Sequence, residues 1–391
     1  MEIARTMSDK KVTPVFPLVK GKTSRQAHTN LPLENGKTTY EEEIGRQGFF
    51  GKATHFYHIN PPTGWNKIDD GDFKPHLIDT NKLEPTDKTD AWGSPKLFLK
   101  NSDVQLWISK RSEPMPFYFK NTEGDDVWFV HKGEGTVQTV FGAMTFKTGD
   151  YLVFPRGTFY RIIPSTKDNY FLIIESKEEI TIPDRGVLGP NALYDPAIIE
   201  TPEPNPLPNG GMGTETVARY KRSNKYTHYT YPYDIGRDVT GWKGDVSAWK
   251  LSIFDFRPIM SHRYHLPPSV HTTFLSQGFV ICSFVPRPFE MSEDAIKIPF
   301  FHSNVEYDEM IFYHDGDFFS RDNIKPGMAT LHPAGFTHGP HPKALTHMLK
   351  QDKPMTDEYA VMIDSRKPLE IPEEAKSACD ENYWKSWMKK E

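Results

Sequence analysis

Two blocks decide how this chain reads: Glu309-Met-Ile-Phe-Tyr-His-Asp-Gly316, and Gly327-Met-Ala-Thr-Leu-His-Pro333-Ala-Gly335-Phe-Thr-His338. Each couples an aromatic or β-branched run to Gly and Pro, the composition of short strands ending in tight turns. The same pattern occurs earlier, as Asp126-Val-Trp-Phe-Val-His-Lys-Gly133 and Gly149-Asp-Tyr-Leu-Val-Phe-Pro155-Arg-Gly157-Thr-Phe-Tyr160. In both copies seven positions separate the acid from its glycine. From the next glycine, six lead to the proline, eight to the second glycine and eleven to the final His or Tyr. Four matching intervals in the same order point to an internal duplication, which is itself an architectural statement.

The rest of the chain agrees. Its 33 prolines in 391 residues are about 8%, against a usual ~5%. Proline at that density interrupts long helices, because it lacks the N–H donor and clashes with the preceding turn. Strands are expected at Val127–Val130, Gly135–Phe141, Tyr151–Phe154, Tyr170–Ile174, Val280–Val285 and Met310–Phe312. Only the ends read as partly helical, over the acid-rich Thr39–Gly45 and over Glu373–Lys390. Prolines at 183, 190, 196, 202, 204, 206 and 208, then Asn209-Gly210-Gly211, mark an extended connector over residues 181–213. That connector divides the chain into halves at residues 1–180 and 214–391.

The composition also excludes function classes. With 47 Lys+Arg against 52 Asp+Glu, the net charge is −5, without the basic footprint of a nucleic-acid binder. The short basic cluster Arg219, Lys221, Arg222 and Lys225 reads as solvated surface. The longest apolar run, Phe279–Val285, is far short of the roughly 20 residues of a membrane helix. MEIARTMSDKK has no apolar stretch of the signal-peptide kind, and two cysteines make no disulfide framework. A cytoplasmic protein is expected, with no membrane and no nucleic-acid partner.

The spacings resemble the two-motif pattern of the cupin superfamily, whose members are small double-sheet jelly-roll barrels. The fold expected is therefore all-β: two cupin-type jelly-roll barrels (a bicupin) with short terminal helices. The copies differ where the chemistry lies. The C-terminal copy reads His302-Ser-Asn304-Val-Glu-Tyr-Asp-Glu309 and closes with His338, two imidazoles and a carboxylate of the kind that binds non-haem Fe(II) with open positions. Glu306 and Asp308 adjoin the carboxylate position, and counting back from Gly316 selects Glu309. The N-terminal copy has Phe119, Asp126 and Tyr160 at the equivalent places. It reads as a structural barrel without metal, its Asp126 either exposed or paired. Nine of the 15 histidines fall between His262 and His347; of these His314, His341 and His347 read as ordinary structural histidines.

With these residues in place, Pro299-Phe-Phe-His302-Ser-Asn304, the acid, and Leu331-His332 through His338-Gly339-Pro340 resemble the iron site of the homogentisate 1,2-dioxygenase family. His265-Leu-Pro-Pro-Ser-Val-His resembles that family's His-containing stretch, and TYEEEIGRQGFFG (Thr39–Gly51) its N-terminal block. The resemblance covers roughly residues 25 to 350. It implies a ring-cleaving dioxygenase that oxidises homogentisate, a small aromatic acid, with O₂ to maleylacetoacetate in tyrosine and phenylalanine breakdown. It further implies Fe(II) on His302, Glu309 and His338, His265 as catalytic acid/base, His332 beside the iron or substrate, and assembly as a homo-oligomer, a trimer or hexamer. The chain departs from the pattern at three places. Seven positions rather than six separate His302 from the acid, Ser303 replaces an arginine, and Phe318 stands where a substrate-facing tyrosine is usual. Asn304, Tyr313 and His332 are then the candidates to receive the substrate carboxylate beside Phe318. Competing readings are a dioxygenase of gentisate or a similar acid, a cupin isomerase or epimerase that uses no O₂, and a non-catalytic storage or sugar-binding bicupin.

Overall fold

A computed structural model describes residues 18–29, 31–48, 50–69, 71–263, 266–296, 300–318, 323–341, 344 and 353–388. Contacts divide the chain into two compact units, one of residues 1–79, 257–369 and 379–391, the other of 80–256 and 370–378. The strand pairings cross the boundaries expected from the proline-rich stretch, at residues 180 and 213. Thr216–Arg222 adds parallel to Tyr118–Asn121, and Trp249–Ser252 antiparallel to Asp150–Phe154. Tyr40–Gln47 adds parallel to Phe301–Asn304, and His76–Asp79 antiparallel to Met328–His332. Each jelly roll thus borrows strands from beyond its own half of the sequence. The stretch 181–213 belongs to the second unit, where Glu203 bridges to Ala143 and Glu200 to Lys250.

The second unit packs two six-stranded sheets. Trp128, Val130, Leu152, Phe154, Phe171 and Ile173 of one meet Val137, Met144, Phe146, Tyr160 and Ile162 of the other in a single buried cluster. Along Phe159–Pro164 buried and half-buried residues alternate, the period-two pattern of a strand with one face inward. Burying each large apolar side chain contributes about 1.5–3 kcal/mol, so this layer dominates the unit's stability.

The first unit sets the three-stranded sheet Phe301–Asn304, Tyr40–Gln47, Phe50–His58 beside a six-stranded sheet. The latter runs Thr272–Ser276, Phe279–Phe284, Asp357–Ser365, Asp308–Asp317, Met328–His332, His76–Asp79. The fold is all-β, as expected, with one local correction. Thr39–Gly45 is not helical; Tyr40–Gln47 is a strand, paired on both sides. Its acidic run suggested a helix, but strand pairing aims Glu42 at His58 and aims Glu41 and Glu43 at His28 and His55, described below. The C-terminal end carries two short 3₁₀ turns, Glu373–Ala378 and Tyr383–Trp387. No helix among the described residues is long and apolar enough to cross a membrane.

The duplication is visible in the backbone. The turn glycines correspond pairwise in φ: 108° and 96° at Gly133 and Gly316, 91° and 79° at Gly149 and Gly327, 86° and 78° at Gly157 and Gly335. All lie in the left-handed region that only glycine enters without strain.

Candidate metal centre

The site in the first unit is built from two backbone pairings. His302 and His338 form an antiparallel bridge, each N–H donating to the other's carbonyl at 2.8 and 2.9 Å. Glu309 lies opposite His332 on the adjoining strands. His302 Nδ1 is 3.0 Å from the Phe300 carbonyl, and His338 Nδ1 is 2.8 Å from the Phe336 carbonyl. A carbonyl accepts only, so both Nδ1 atoms carry the proton and both Nε2 atoms turn a lone pair inward. Those Nε2 atoms lie 3.5 and 3.2 Å from Glu309 oxygens. One donor atom from each of the three residues falls within 4.8 Å of the others, and all three are buried. The donor set fits a divalent first-row ion: two neutral imidazoles with fixed tautomers and one carboxylate leave a net charge of +1 and room for further ligands.

The electrostatics favour an ionised Glu309. Burial pushes its carboxyl up, but when protons occupy the imidazole Nε2 atoms the charge of His338 and hydrogen bonds from His302, His332 and His338 outweigh burial and hold it well below the usual carboxylate range; a divalent ion would supply that positive charge in the protons' place. Asp364, its cross-strand partner, is driven the other way, first by burial and then by the Glu309 charge.

The three adjacent acids separate cleanly. Glu309 points into the site. Asp308, on the opposite face, accepts backbone N–H groups of Ala334 at 2.8 Å and Leu369 at 2.7 Å. Glu306 pairs with Arg46 and Arg366. Period-two alternation turns Asp308 and Glu309 to opposite faces, while Glu306 lies in the turn before the strand.

Of the other expected site residues that are described, only His332 joins this group. It is fully buried, its Nδ1 lies 3.0 Å from Glu309 Oε1, and its ring stacks on His338 at 4.2 Å. His332→Phe keeps the stack and removes the hydrogen bond. It is expected to weaken binding of a divalent metal ion by about 10–100-fold, read by competition with a chelator; unchanged affinity would make His332 a packing residue only. Asn304 is turned elsewhere: its Oδ1 accepts the Gly48 N–H at 3.0 Å and secures the turn between two strands. Tyr313 and Phe318 pack edge-to-face at 4.8 Å in an apolar cluster with Val280, Ile311 and Met362. Tyr313 is four residues along the strand from Glu309, about 13 Å at 3.3 Å per residue. His265 lies outside the described residues.

His314 is buried, as an ordinary structural histidine can be, and burial lowers its pKa to about 4. Its unfolded value is near 6.5, so the unfolded chain binds the extra proton between pH 6.5 and 4. Stability is fully present above pH 6.5 and falls by up to about 1.4 kcal/mol per unit as pH drops through that window. His314→Phe is expected to flatten this slope in urea titrations at pH 7 and 5; an unchanged slope would exonerate His314.

In the second unit, Phe119 and Tyr160 pair across strands just as His302 and His338 do. Tyr160 donates to Asp126 Oδ2 at 2.8 Å, and Asn121 to Oδ1 at 2.9 Å. Burial, then the Glu175 charge, pushes Asp126 up to about 7. A phenol thus stands where the other copy has an imidazole, and the acid is paired within the protein. Glu175 in turn is paired with Lys221, a residue of the basic cluster read as surface; Lys221 and Arg219 are in fact buried.

Two double-layer β units, one carrying two imidazoles and a carboxylate on facing strands, define a bicupin with a candidate metal centre. Comparison with known proteins gives the family. The N-terminal model of homogentisate 1,2-dioxygenase matches residues 100–253, and the C-terminal model matches 254–391. The chain belongs to the homogentisate 1,2-dioxygenase family. A Saccharolobus solfataricus protein described as a dioxygenase, with no substrate stated, is 32% identical over 393 residues, 95% of this chain and 99% of that one. Homogentisate 1,2-dioxygenase of Bradyrhizobium diazoefficiens is 25% identical over 283 residues, 69% of this chain and 62% of that enzyme. This chain therefore spans under two thirds of the Bradyrhizobium enzyme's length. Among solved structures, a Bacillus subtilis oxalate decarboxylase variant aligns over 80% of this chain and 81% of its own, at 11% identity and a TM-score of 0.36.

Proposed function

We propose that this protein is an Fe(II)-dependent ring-cleaving dioxygenase and that its substrate is homogentisate. The observation that carries the reading is the inward convergence of His302, Glu309 and His338 in a chain of this family. These three residues would hold the iron, which when bound would act as a Lewis acid for the ring hydroxyl and let electrons pass from the ring, the net reductant, to O₂. The balance is simple: one ring carbon–carbon bond breaks, both atoms of O₂ enter the product, and no other oxidant is consumed.

The chain's own groups do the rest. Backbone carbonyls of Phe300 and Phe336 hold the two imidazoles, and His332 fixes one oxygen of Glu309. Holding ligands rigidly before substrate arrives removes reorganisation from the reaction step. His265 is assigned the proton of the ring hydroxyl, a task suited to a group with an unperturbed pKa near 6.5. Ser303 is buried beside the ligand His302 and Phe318 lies in the apolar cluster, so neither offers the substrate carboxylate the charged or phenolic partner usual in the family. Since a buried carboxylate needs partners, another polar group must receive it. A cytoplasmic homo-oligomer, trimer or hexamer, belongs to the same reading.

The test is O₂ uptake by Fe(II)-loaded protein offered homogentisate, gentisate and carboxylate-free hydroquinone. Homogentisate is expected to give the highest kcat/KM, with a KM of roughly 1 μM–1 mM. A higher value for gentisate or hydroquinone would overturn the substrate and leave the ring-cleaving class. No uptake with any of them would overturn the class itself.

A further inference from the structure

A second group of metal-binding side chains lies on the N-terminal strands of the first unit, and neither the dioxygenase reading nor the duplicated motif uses it. Glu41 and Glu43 sit two positions apart on the strand Tyr40–Gln47, hence on one face. His55, on the neighbouring strand Phe50–His58, lies directly opposite Glu43. His28 has a left-handed backbone, φ 55°, and stacks its ring on Phe300 at 4.0 Å and 20°. Its ring centre is 5.4 Å from that of His55.

Each imidazole is flanked by a carboxylate at both nitrogens. Glu41 oxygens lie 2.6 Å from His55 Nδ1 and 3.9 Å from His28 Nδ1. Glu43 Oε2 lies 3.3 Å from His55 Nε2 and 3.7 Å from His28 Nε2. One donor atom from each of His28, Glu41 and His55 falls within 4.8 Å of the others, the same closeness found at His302, Glu309 and His338. Glu41 is only 3% exposed, and its Oε2 accepts no hydrogen bond among the described residues. A buried carboxylate oxygen left in that state is costly unless a cation or a donor reaches it. Glu43, also largely shielded at 13% side-chain exposure, adds a second negative charge to the pocket.

We propose that His28, Glu41 and His55 bind a second divalent cation of the zinc class. Glu43 accepts the N–H on the far side of both rings, the carboxylate–histidine–metal arrangement that fixes which nitrogen faces the metal. Two carboxylates and one divalent ion sum to zero charge, which removes the penalty of burying two like charges together. Mixed imidazole and carboxylate donors suit Zn²⁺ at bond lengths near 2.0–2.2 Å; His55 Nδ1 and Glu41, 2.6 Å apart, would open slightly to admit the ion while His28 Nδ1 closes in from 3.9 Å. His55 is about a quarter exposed and gives the ion a way in. Since Glu43 lies opposite His302 on the adjoining strand, the ion would staple the segment around His28 to the sheet that carries a ligand of the first centre.

The experiment is zinc stoichiometry on the full chain. Protein stripped with a chelator is dialysed against ZnCl₂ alone, and bound zinc is counted by mass spectrometry. Two equivalents per chain are expected, one in Glu41→Gln, one in His338→Ala, and none in the double variant. His55→Ala, on a more exposed residue, repeats the Glu41→Gln measurement should that variant fold poorly. A single equivalent in the wild-type protein, lost with His338→Ala, would overturn the proposal. So would two equivalents retained in both Glu41→Gln and His55→Ala. The readout is zinc itself, so it stands whether or not the protein cleaves homogentisate.

Discussion

Glu309→Gln is expected to leave the chain folded, lower bound iron from one equivalent per chain in this centre to near zero, and reduce ring cleavage by about 10³-fold or more. The substitution keeps the shape and removes the charge. An amide presents an NH₂ group or a neutral oxygen where the ionised carboxylate faced His302 and His338 at 3.5 and 3.2 Å. Two imidazoles then remain without the anion that brings the centre to +1. A bound metal supplies several kcal/mol of charge stabilisation, and each 1.36 kcal/mol is tenfold in rate. Glu306→Gln is the matched control. Its carboxylate pairs with Arg46 and Arg366, so iron and turnover should survive. Iron retained in Glu309→Gln, or lost in Glu306→Gln, would mean that the centre uses a different carboxylate.

The second large effect is expected at His265. His265→Gln should retain its iron and lose turnover by the roughly 10²–10⁴-fold that a positioned acid/base group contributes. The loss should appear in kcat more than in KM, because proton removal belongs to the reaction step rather than to substrate capture. A variant that loses iron would make His265 a ligand or a support for one. Normal turnover would remove it from the reaction.

What could be read from the sequence follows from what kind of information it was. The Gly and Pro positions of the duplicated blocks carry backbone constraints, and the left-handed values at Gly133 and Gly316 or Gly157 and Gly335 match because the turns themselves match. Counting back from Gly316 picked Glu309 from three acids for the same reason: the hairpin fixes the strand's phase, and the phase fixes which acid faces inward. Long-range pairing was less legible. Nothing local to Thr39–Gly45 says that its flanks are strands, and a run of glutamates in isolation suits a helix equally well. Only the register against Phe50–His58 places Glu41 and Glu43 among His28 and His55. The proline-rich stretch suggested a boundary that strand exchange then ignored, since the pairing of Trp249–Ser252 with Asp150–Phe154 depends on partners about a hundred residues apart. Tyr313 and Asn304 were placed near the substrate by spacing alone. A strand's rise moves Tyr313 away from Glu309, and the Gly48 N–H claims the Asn304 oxygen.

The central claim is that this chain uses the His302, Glu309, His338 centre to open an aromatic ring with O₂. Single-turnover reaction of Fe(II)-loaded protein with homogentisate, followed by mass spectrometry of the product and an oxygen electrode, tests it directly. The account predicts one O₂ consumed per ring, a product heavier than the substrate by one molecule of O₂, no hydrogen peroxide, and none of this in His338→Ala. A product of unchanged mass formed without O₂ uptake, or the same oxygenation by His338→Ala, would contradict it.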